Sequence, residues 1–166
     1  CADKARLFQA LSSAWRKPGV PKAAVLNADD RSYPYLAPIP ADVQLSYGLQ
    51  APADLTADDI QATNGGQRFT VHAPGKSFAL ESALAGRYNV YNLLAATGAA
   101  LALDLPLEAI QAGAASVRGV SGRAERIDEG QDFTAMVDFA HTPNALEQLL
   151  SALRTQAEAA GGRLIV

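Results

Sequence analysis

The sequence is poor in the residues that build disulfide frameworks and zinc sites. Its 166 residues include one cysteine and two histidines, and these histidines, His72 and His141, lie far apart in the chain. A single cysteine excludes a disulfide framework and a cysteine-rich zinc module, and it is typical of a reducing compartment. We therefore expect a cytoplasmic protein without a zinc centre.

Three further absences narrow the functional classes. No apolar run approaches the roughly 20 residues that a membrane-spanning helix requires, and the first residues have no apolar core like that of a signal peptide. The 14 basic and 17 acidic side chains give a net charge of −3, which argues against general nucleic-acid binding. The glycine motifs Gly-x-x-x-x-Gly-Lys-Ser/Thr and Gly-x-Gly-x-x-Gly are missing. The sequence thus predicts neither a membrane nor a nucleic-acid partner, and it argues against a self-sufficient nucleotide enzyme.

The first half of the sequence has the pattern of an α/β protein. Apolar residues at helical spacing over 2–15 precede a short apolar strand at 22–27. Asn27 and Asp29 stand at the carboxyl end of that strand, an edge where α/β sheets bind ligands, but we assign them no role. Alternating residues over 42–82 predict antiparallel strands joined by tight turns, a small meander attached to the main sheet.

The second half predicts two helices and then a second domain. The helices run over 89–103 and 107–117, and the composition changes near Gly122. An apolar strand at 134–137, a helix from Pro143 to about 159 and a strand beginning at 164–166 would form a βαβ unit.

We therefore predict two parts, 1–121 and 122–166. The second should bury little surface, so we expect it to swing, dock on the first part or swap with a second copy as a dimer. Because the only methionine is Met136 and the chain stops within an apolar run, we also expect a piece of a longer protein.

Five polar residues are candidates for a nucleotide site, each with an ordinary alternative. Asp138 and His141 lie between a strand and a helix, where phosphates bind, although Asp138 could instead cap the turn. Asn89 could contact a purine edge or cap its helix. Arg123 could clamp a phosphate or pair with a neighbouring glutamate. Lys4 could be a solvated lysine or, as a carbamate, an oxygen ligand of Mg²⁺.

Five motifs follow one another along the chain: residues 4–8 (KARLF), 25–30 (VLNADD), 86–92 (GRYNVYN), 120–125 (VSGRAE) and 137–147 (VDFAHTPNALE). Together they resemble those of the Mur ligase family, most closely the MurE type, which adds the third residue of the peptidoglycan stem peptide. The motif at 137–147 distinguishes this type from most sister ligases. Tyr88, Ala124 and Asn144 depart from the usual phenylalanine, methionine and aspartate, and none of these changes removes one of the five candidate residues.

The resemblance implies a fold and a reaction. The chain would hold the later part of a central ATP-binding domain, with a parallel sheet, helices and an antiparallel meander, and then the first βαβ unit of a Rossmann-like C-terminal domain. The whole enzyme would be an ATP-dependent ligase that uses Mg²⁺ and joins a diamino acid to UDP-MurNAc-L-Ala-D-Glu through an acyl phosphate. The 166 residues alone should be inactive because they contain no phosphate loop.

The resemblance also implies roles for the five candidates. Carbamylated Lys4 would be a catalytic residue that holds Mg²⁺, and Asn89 would contact the adenine of ATP. Arg123, Asp138 and His141 would contact the nucleotide from the C-terminal side. Two other interpretations stay open: a sister ligase, either an amidating enzyme or a folylpolyglutamate synthase, and a non-catalytic nucleotide-binding module.

Overall fold

The computed structural model describes the backbone of residues 2–63 and 65–166, and the side chains of all these residues except 2–4, 144, 148, 152, 155 and 156. The chain forms two compact units, Cys1–Arg118 and Gly119–Val166. Their division lies three residues before the predicted boundary at 121/122. The α/β fold class predicted from the sequence is confirmed.

The first unit starts with α1 (Ala2–Ser13), β1 (Ala23–Asn27), α2 (Tyr33–Leu36) and β2 (Val43–Tyr47). Strands β1 and β2 form a two-stranded parallel sheet and pair in register, with Ala23 opposite Val43 and Asn27 opposite Tyr47. The prediction that 43–47 belongs to the antiparallel meander is therefore wrong. Apolar and polar residues alternate along β2, and such alternation does not distinguish a parallel from an antiparallel partner.

The meander is confirmed as a three-stranded antiparallel sheet, in which the strands at 56–63, 66–73 and 76–82 lie side by side in chain order. Phe69 stands opposite Leu80 and Val71 opposite Phe78, which places large apolar side chains on one face. That face is fully covered, since these four side chains are buried. The strands are β3 (Thr56–Thr63), β4 (Gly66–Ala73) and β5 (Lys76–Ser82).

Two helices complete the first unit, α3 (Arg87–Ala102) and α4 (Leu107–Ser116), close to the predicted spans. Val90 and Leu94 of α3 join the buried face of the meander in one hydrophobic core. On its other side α3 approaches the parallel sheet closely. A Cβ added at Gly98 would lie 2.8 Å from Val25 Cγ1. The core thus fixes α3 between the two sheets.

The second unit contains a hairpin of β6 (Glu125–Ile127) and β7 (Ala135–Val137), followed by α5 (Pro143–Ala159). The strand near 134–137 and the long helix are confirmed. The strand predicted at 164–166 is not formed, and Ile165 and Val166 are 82% and 89% exposed. Strand β7 pairs instead with β6, with Ile127 opposite Ala135, because a partner so near in the chain closes a short loop at low entropic cost. Across the described residues, no helix is both long and apolar enough to cross a membrane.

Candidate functional site

The first turn of α3 carries Asn89, whose side-chain amide makes two hydrogen bonds. Nδ2 donates to the Ala85 carbonyl at 2.8 Å, and Oδ1 accepts from Asn92 Nδ2 at 3.1 Å. The helix is capped by Gly86, which has a φ of 93°, and Asn89 lies three residues inside it. Asn89 is therefore not the cap, which was the ordinary alternative. One N–H and one lone pair of the amide take no part in these two bonds, and an N–H beside an oxygen matches the edge of adenine.

The carboxylate of Asp29, just beyond β1, accepts four hydrogen bonds. Oδ2 accepts from Leu49 N at 2.7 Å, from Gln50 N at 3.1 Å and from Tyr91 Oη at 2.8 Å, and Oδ1 accepts from Ala51 N at 2.6 Å. Partial burial opposes its ionisation, but the four donors outweigh burial, and the pKa of Asp29 lies below its ordinary value.

Sequence reasoning left Asp29 without a role, although one signal for it was available. Gly48 follows β2 directly, and a Cβ there would lie 3.2 Å from both carboxylate oxygens of Asp29. Asn27 shapes the same tip, since its Oδ1 accepts from Asp29 N at 2.9 Å. A carboxylate after one parallel strand and a glycine after its neighbour predict such a contact, because the two strand ends lie side by side.

In the second unit, Asp138 connects two loop segments. Its Oδ2 accepts from Ala124 N and its Oδ1 from Ala140 N, both at 2.7 Å. The cap near the start of α5 is Thr142, whose Oγ1 accepts from Ala145 N at 3.4 Å. The bond from Ala140 N means that Asp138 caps its own turn, as the ordinary alternative predicted for Asp138 and Thr142. Through the bond from Ala124 N, Asp138 also holds the loop of Arg123 against the end of β7.

Arg123, Phe139 and His141 form a stack. The Arg123 guanidinium carbon lies 5.2 Å from the centre of the Phe139 ring. The rings of Phe139 and His141 meet edge to face with centroids 4.8 Å apart, and His141 Nδ1 lies 2.8 Å from the Phe139 carbonyl oxygen. Phe139 is 62% exposed. The second unit thus brings Arg123, Asp138 and His141 together, and sequence reasoning missed the Phe139 ring between two of them.

The alternative for Arg123, a surface pair with Glu125, is not formed among the described residues. Glu125 Oε2 instead accepts from Gly122 N at 2.7 Å and from Ser121 Oγ at 3.0 Å. The loop that presents Arg123 is therefore held from both sides, by Glu125 and by Asp138.

The side chain of Lys4 lies outside the described residues, so its predicted role stays a prediction. Among the side chains that are described, no group of three or more His, Cys, Asp or Glu could hold a metal ion. These residues therefore do not fit a complete Mg²⁺ site. His72, on the meander, contacts Asp58 Oδ2 and Ser77 Oγ at 2.8 Å each and lies outside the candidate site.

A family model described as the Mur ligase middle domain matches residues 1–100. The chain belongs to the Mur ligase family. It is 45% identical over 138 residues to the UDP-N-acetylmuramoyl-L-alanyl-D-glutamate–2,6-diaminopimelate ligase of Geobacillus kaustophilus, covering 83% of this chain and 28% of that protein. It is 40% identical over 163 residues to the ligase of the same name from Bacillus licheniformis, covering 98% of this chain and 33% of that protein.

A solved structure gives the same result for the fold. The structure of a UDP-N-acetylmuramoyl-L-alanyl-D-glutamate–2,6-diaminopimelate ligase superimposes with a TM-score of 0.68 and 34% identity, over 92% of this Mur ligase chain and 31% of that one. The chain spans about a third of the length of the relatives that it matches.

Proposed function

We propose that this chain is part of a MurE-type ligase, which adds the third stem-peptide residue to UDP-MurNAc-L-Ala-D-Glu with ATP. The relatives named above carry this activity in their names. In this reaction ATP phosphorylates the terminal carboxylate of the UDP-linked dipeptide. The amine of a diamino acid then attacks the acyl phosphate, and phosphate leaves.

The grouping of Arg123, Asp138 and His141 is the observation that supports this proposal most strongly. Asp138 and Glu125 fix the loop backbone, and the exposed Arg123 lies over the Phe139 ring, which the His141 ring meets edge to face. A guanidinium binds phosphate oxygens through its planar fork, and an imidazole can donate a further hydrogen bond. We assign phosphate and ribose contacts to these three residues and the adenine contact to Asn89.

The remaining assignments follow from the same proposal. The unit Cys1–Arg118 would be the later part of the central ATP-binding domain, and Gly119–Val166 the start of the C-terminal domain. Carbamylated Lys4 would hold Mg²⁺ together with ligands from other parts of the whole enzyme, since the described side chains of this chain contain no group of three or more His, Cys, Asp or Glu that could do so. We expect the 166 residues alone to release no phosphate from ATP. We also expect the second unit to swing, to dock on the first unit, or to swap with a second copy. The enzyme would act in the cytoplasm.

Separate titrations with adenosine and with inorganic triphosphate test the two assignments, the adenine contact of Asn89 and the phosphate contacts of Arg123 and His141. In the isotope-labelled chain, adenosine should shift the amide signals around Asn89, and triphosphate those of Arg123 and His141. Arg123→Ala should weaken triphosphate binding by about tenfold, as the loss of a charge-assisted hydrogen bond implies. Arg126→Ala is the matched control, because Arg126 lies on β6 and donates to Thr134 Oγ1. Equal effects of the two arginine substitutions would count against the assignment.

A further inference from the structure

Three separate parts of the first unit meet at the Asp29 carboxylate. Asp29 itself follows β1, its three backbone donors belong to the loop after β2, and Tyr91 lies in the first turns of α3. Three of the four donors converge on Oδ2 and the fourth reaches Oδ1. Asp29 therefore connects these three parts of the unit.

The loop that Asp29 holds is also fixed at its far end. Asp54 Oδ2 accepts from Ser46 N at 2.8 Å and from Ser46 Oγ at 2.7 Å. Gly48 N donates to the carbonyl of Leu55, which is fully buried. The loop after β2 is therefore bound both to Asp29 and to the buried core. It holds the Asp29 carboxylate in place beside α3.

On α3, the bond from Asp29 fixes the rotation of the helix at its start. Tyr91 comes two residues after Asn89 and one before Asn92, and each residue turns the helix by about 100°. Anchoring the Tyr91 phenol therefore sets the direction in which the Asn89 amide points. Further along, the close contact of Gly98 with Val25 fixes the helix on the sheet.

We propose that Asp29 is a positioning residue: through Tyr91 it sets the orientation of the first turns of α3 and thus of the Asn89 amide. The adenine contact of Asn89 rests on the function proposed above, whereas the positioning itself does not. Asp29 itself would contact neither adenine nor phosphate. It acts through the helix that carries the binding residue.

Two substitutions test the connection: Asp29→Asn, and the milder Tyr91→Phe, which removes the phenol hydroxyl and with it the bond to Asp29 and the polar contacts with Gln50 and Arg87. Glu81→Gln is the control, because the Glu81 carboxylate pairs with Arg68 on the meander, at 3.5 Å from its Nε. The first readout is the side-chain amide signal of Asn89 without any nucleotide. It should shift and broaden in both test variants and stay unchanged in the control, while the methyl signals of the buried Leu55 and Leu94 report an intact core.

The second readout is the affinity for adenosine. Both test variants should bind adenosine on the order of tenfold more weakly, with triphosphate affinity unchanged, because only the adenine side is misplaced. An unchanged Asn89 amide signal in a folded Asp29→Asn or Tyr91→Phe variant would overturn the positioning role. If the unsubstituted chain bound no adenosine, the adenine assignment would fall, and the amide signal would still decide whether Asp29 positions Asn89.

Discussion

The phenol of Tyr91 donates a 2.8 Å hydrogen bond to Asp29 Oδ2, and this bond joins residues 62 positions apart. It connects the tip of β1 to the start of α3. The pKa values of the two groups are shifted in opposite directions: the pKa of the Asp29 carboxyl is lowered and the pKa of the Tyr91 phenol is raised. Both shifts favour the pair of a charged carboxylate and a neutral phenol.

The lowered pKa of Asp29 makes stability depend on acid pH. A carboxyl whose folded pKa is depressed contributes stability above its unfolded value, about 3.8, and loses it as the pH falls through the folded pKa. We therefore expect Asp29→Asn to be less stable than the unsubstituted chain at neutral pH. The difference should shrink as the pH falls below about 4. Urea unfolding at several pH values measures it, and a constant difference down to the lowest pH would contradict the ionised role of Asp29.

The raised pKa of Tyr91 predicts the opposite dependence in alkali. Burial is its largest cause, and the Asp29 carboxylate adds to it. The stability contributed by this phenol is present below the ordinary tyrosine value of 10 and is lost as the pH rises through the folded pKa. Asp29→Asn should lower the pKa of Tyr91. The tyrosinate absorbance of each protein, minus that of its Tyr91→Phe counterpart, isolates the Tyr91 titration, and an unchanged value would refute the coupling.

The close approach of α3 to β1 predicts opposite effects for two helical glycines. Alanine is favoured over glycine in a helix by about 1 kcal/mol. At Gly98, however, the new methyl would lie 2.8 Å from the stiff Val25 side chain, and overpacking costs about 1–3 kcal/mol. Gly98→Ala should therefore destabilise the chain, whereas Gly113→Ala in α4, with nothing within 4 Å, should stabilise it by about 0.5–1 kcal/mol. Denaturant unfolding that gave the same sign for both would contradict the packing of α3.

Backbone strain in the Arg123 loop predicts a stabilising substitution. Ala124 has a φ of +47°, in the left-handed region that costs an alanine about 1–2 kcal/mol. Ala124→Gly should relieve this strain and slow amide exchange in the loop at 120–125. The greater freedom of glycine in the unfolded chain offsets part of this stabilisation. Ala140→Gly is the control, since the φ of Ala140 is not positive and the same change should accelerate exchange. Faster exchange in Ala124→Gly would refute the strain.

Most helices and strands of the first unit could be predicted from the sequence, because their signals are local. Helices α3, α4 and α5 were predicted from composition and from the residues at their ends, and the β3–β5 meander from alternation and turns. Strand β2 was misplaced, because alternation of apolar and polar residues does not distinguish a parallel from an antiparallel partner. Strand β6 was missed, because Glu125 and Arg126 give it no apolar run.

The motifs identified the candidate binding residues, but they did not identify the contacts that hold these residues in place. Asp29 receives its backbone donors from residues 20 to 22 positions away. The Phe139 ring acquires its role only when Arg123 is brought over it. Such contacts depend on which strand ends and loops become neighbours. The signal that Asp29 and Gly48 carry in the sequence can be interpreted only once β1 and β2 are known to pair.

The most direct test of the central claim, that this chain serves as a nucleotide-contacting part of a third-residue ligase, is the turnover of a hybrid enzyme. The matching segment of the Bacillus licheniformis ligase is replaced by this chain, and tripeptide formation from UDP-MurNAc-dipeptide, diaminopimelate and ATP is measured. We predict that the hybrid forms tripeptide, and that Asn89→Ala and Arg123→Ala raise its KM for ATP while Arg126→Ala does not. A folded hybrid that binds the UDP-linked dipeptide but forms no tripeptide would contradict the account.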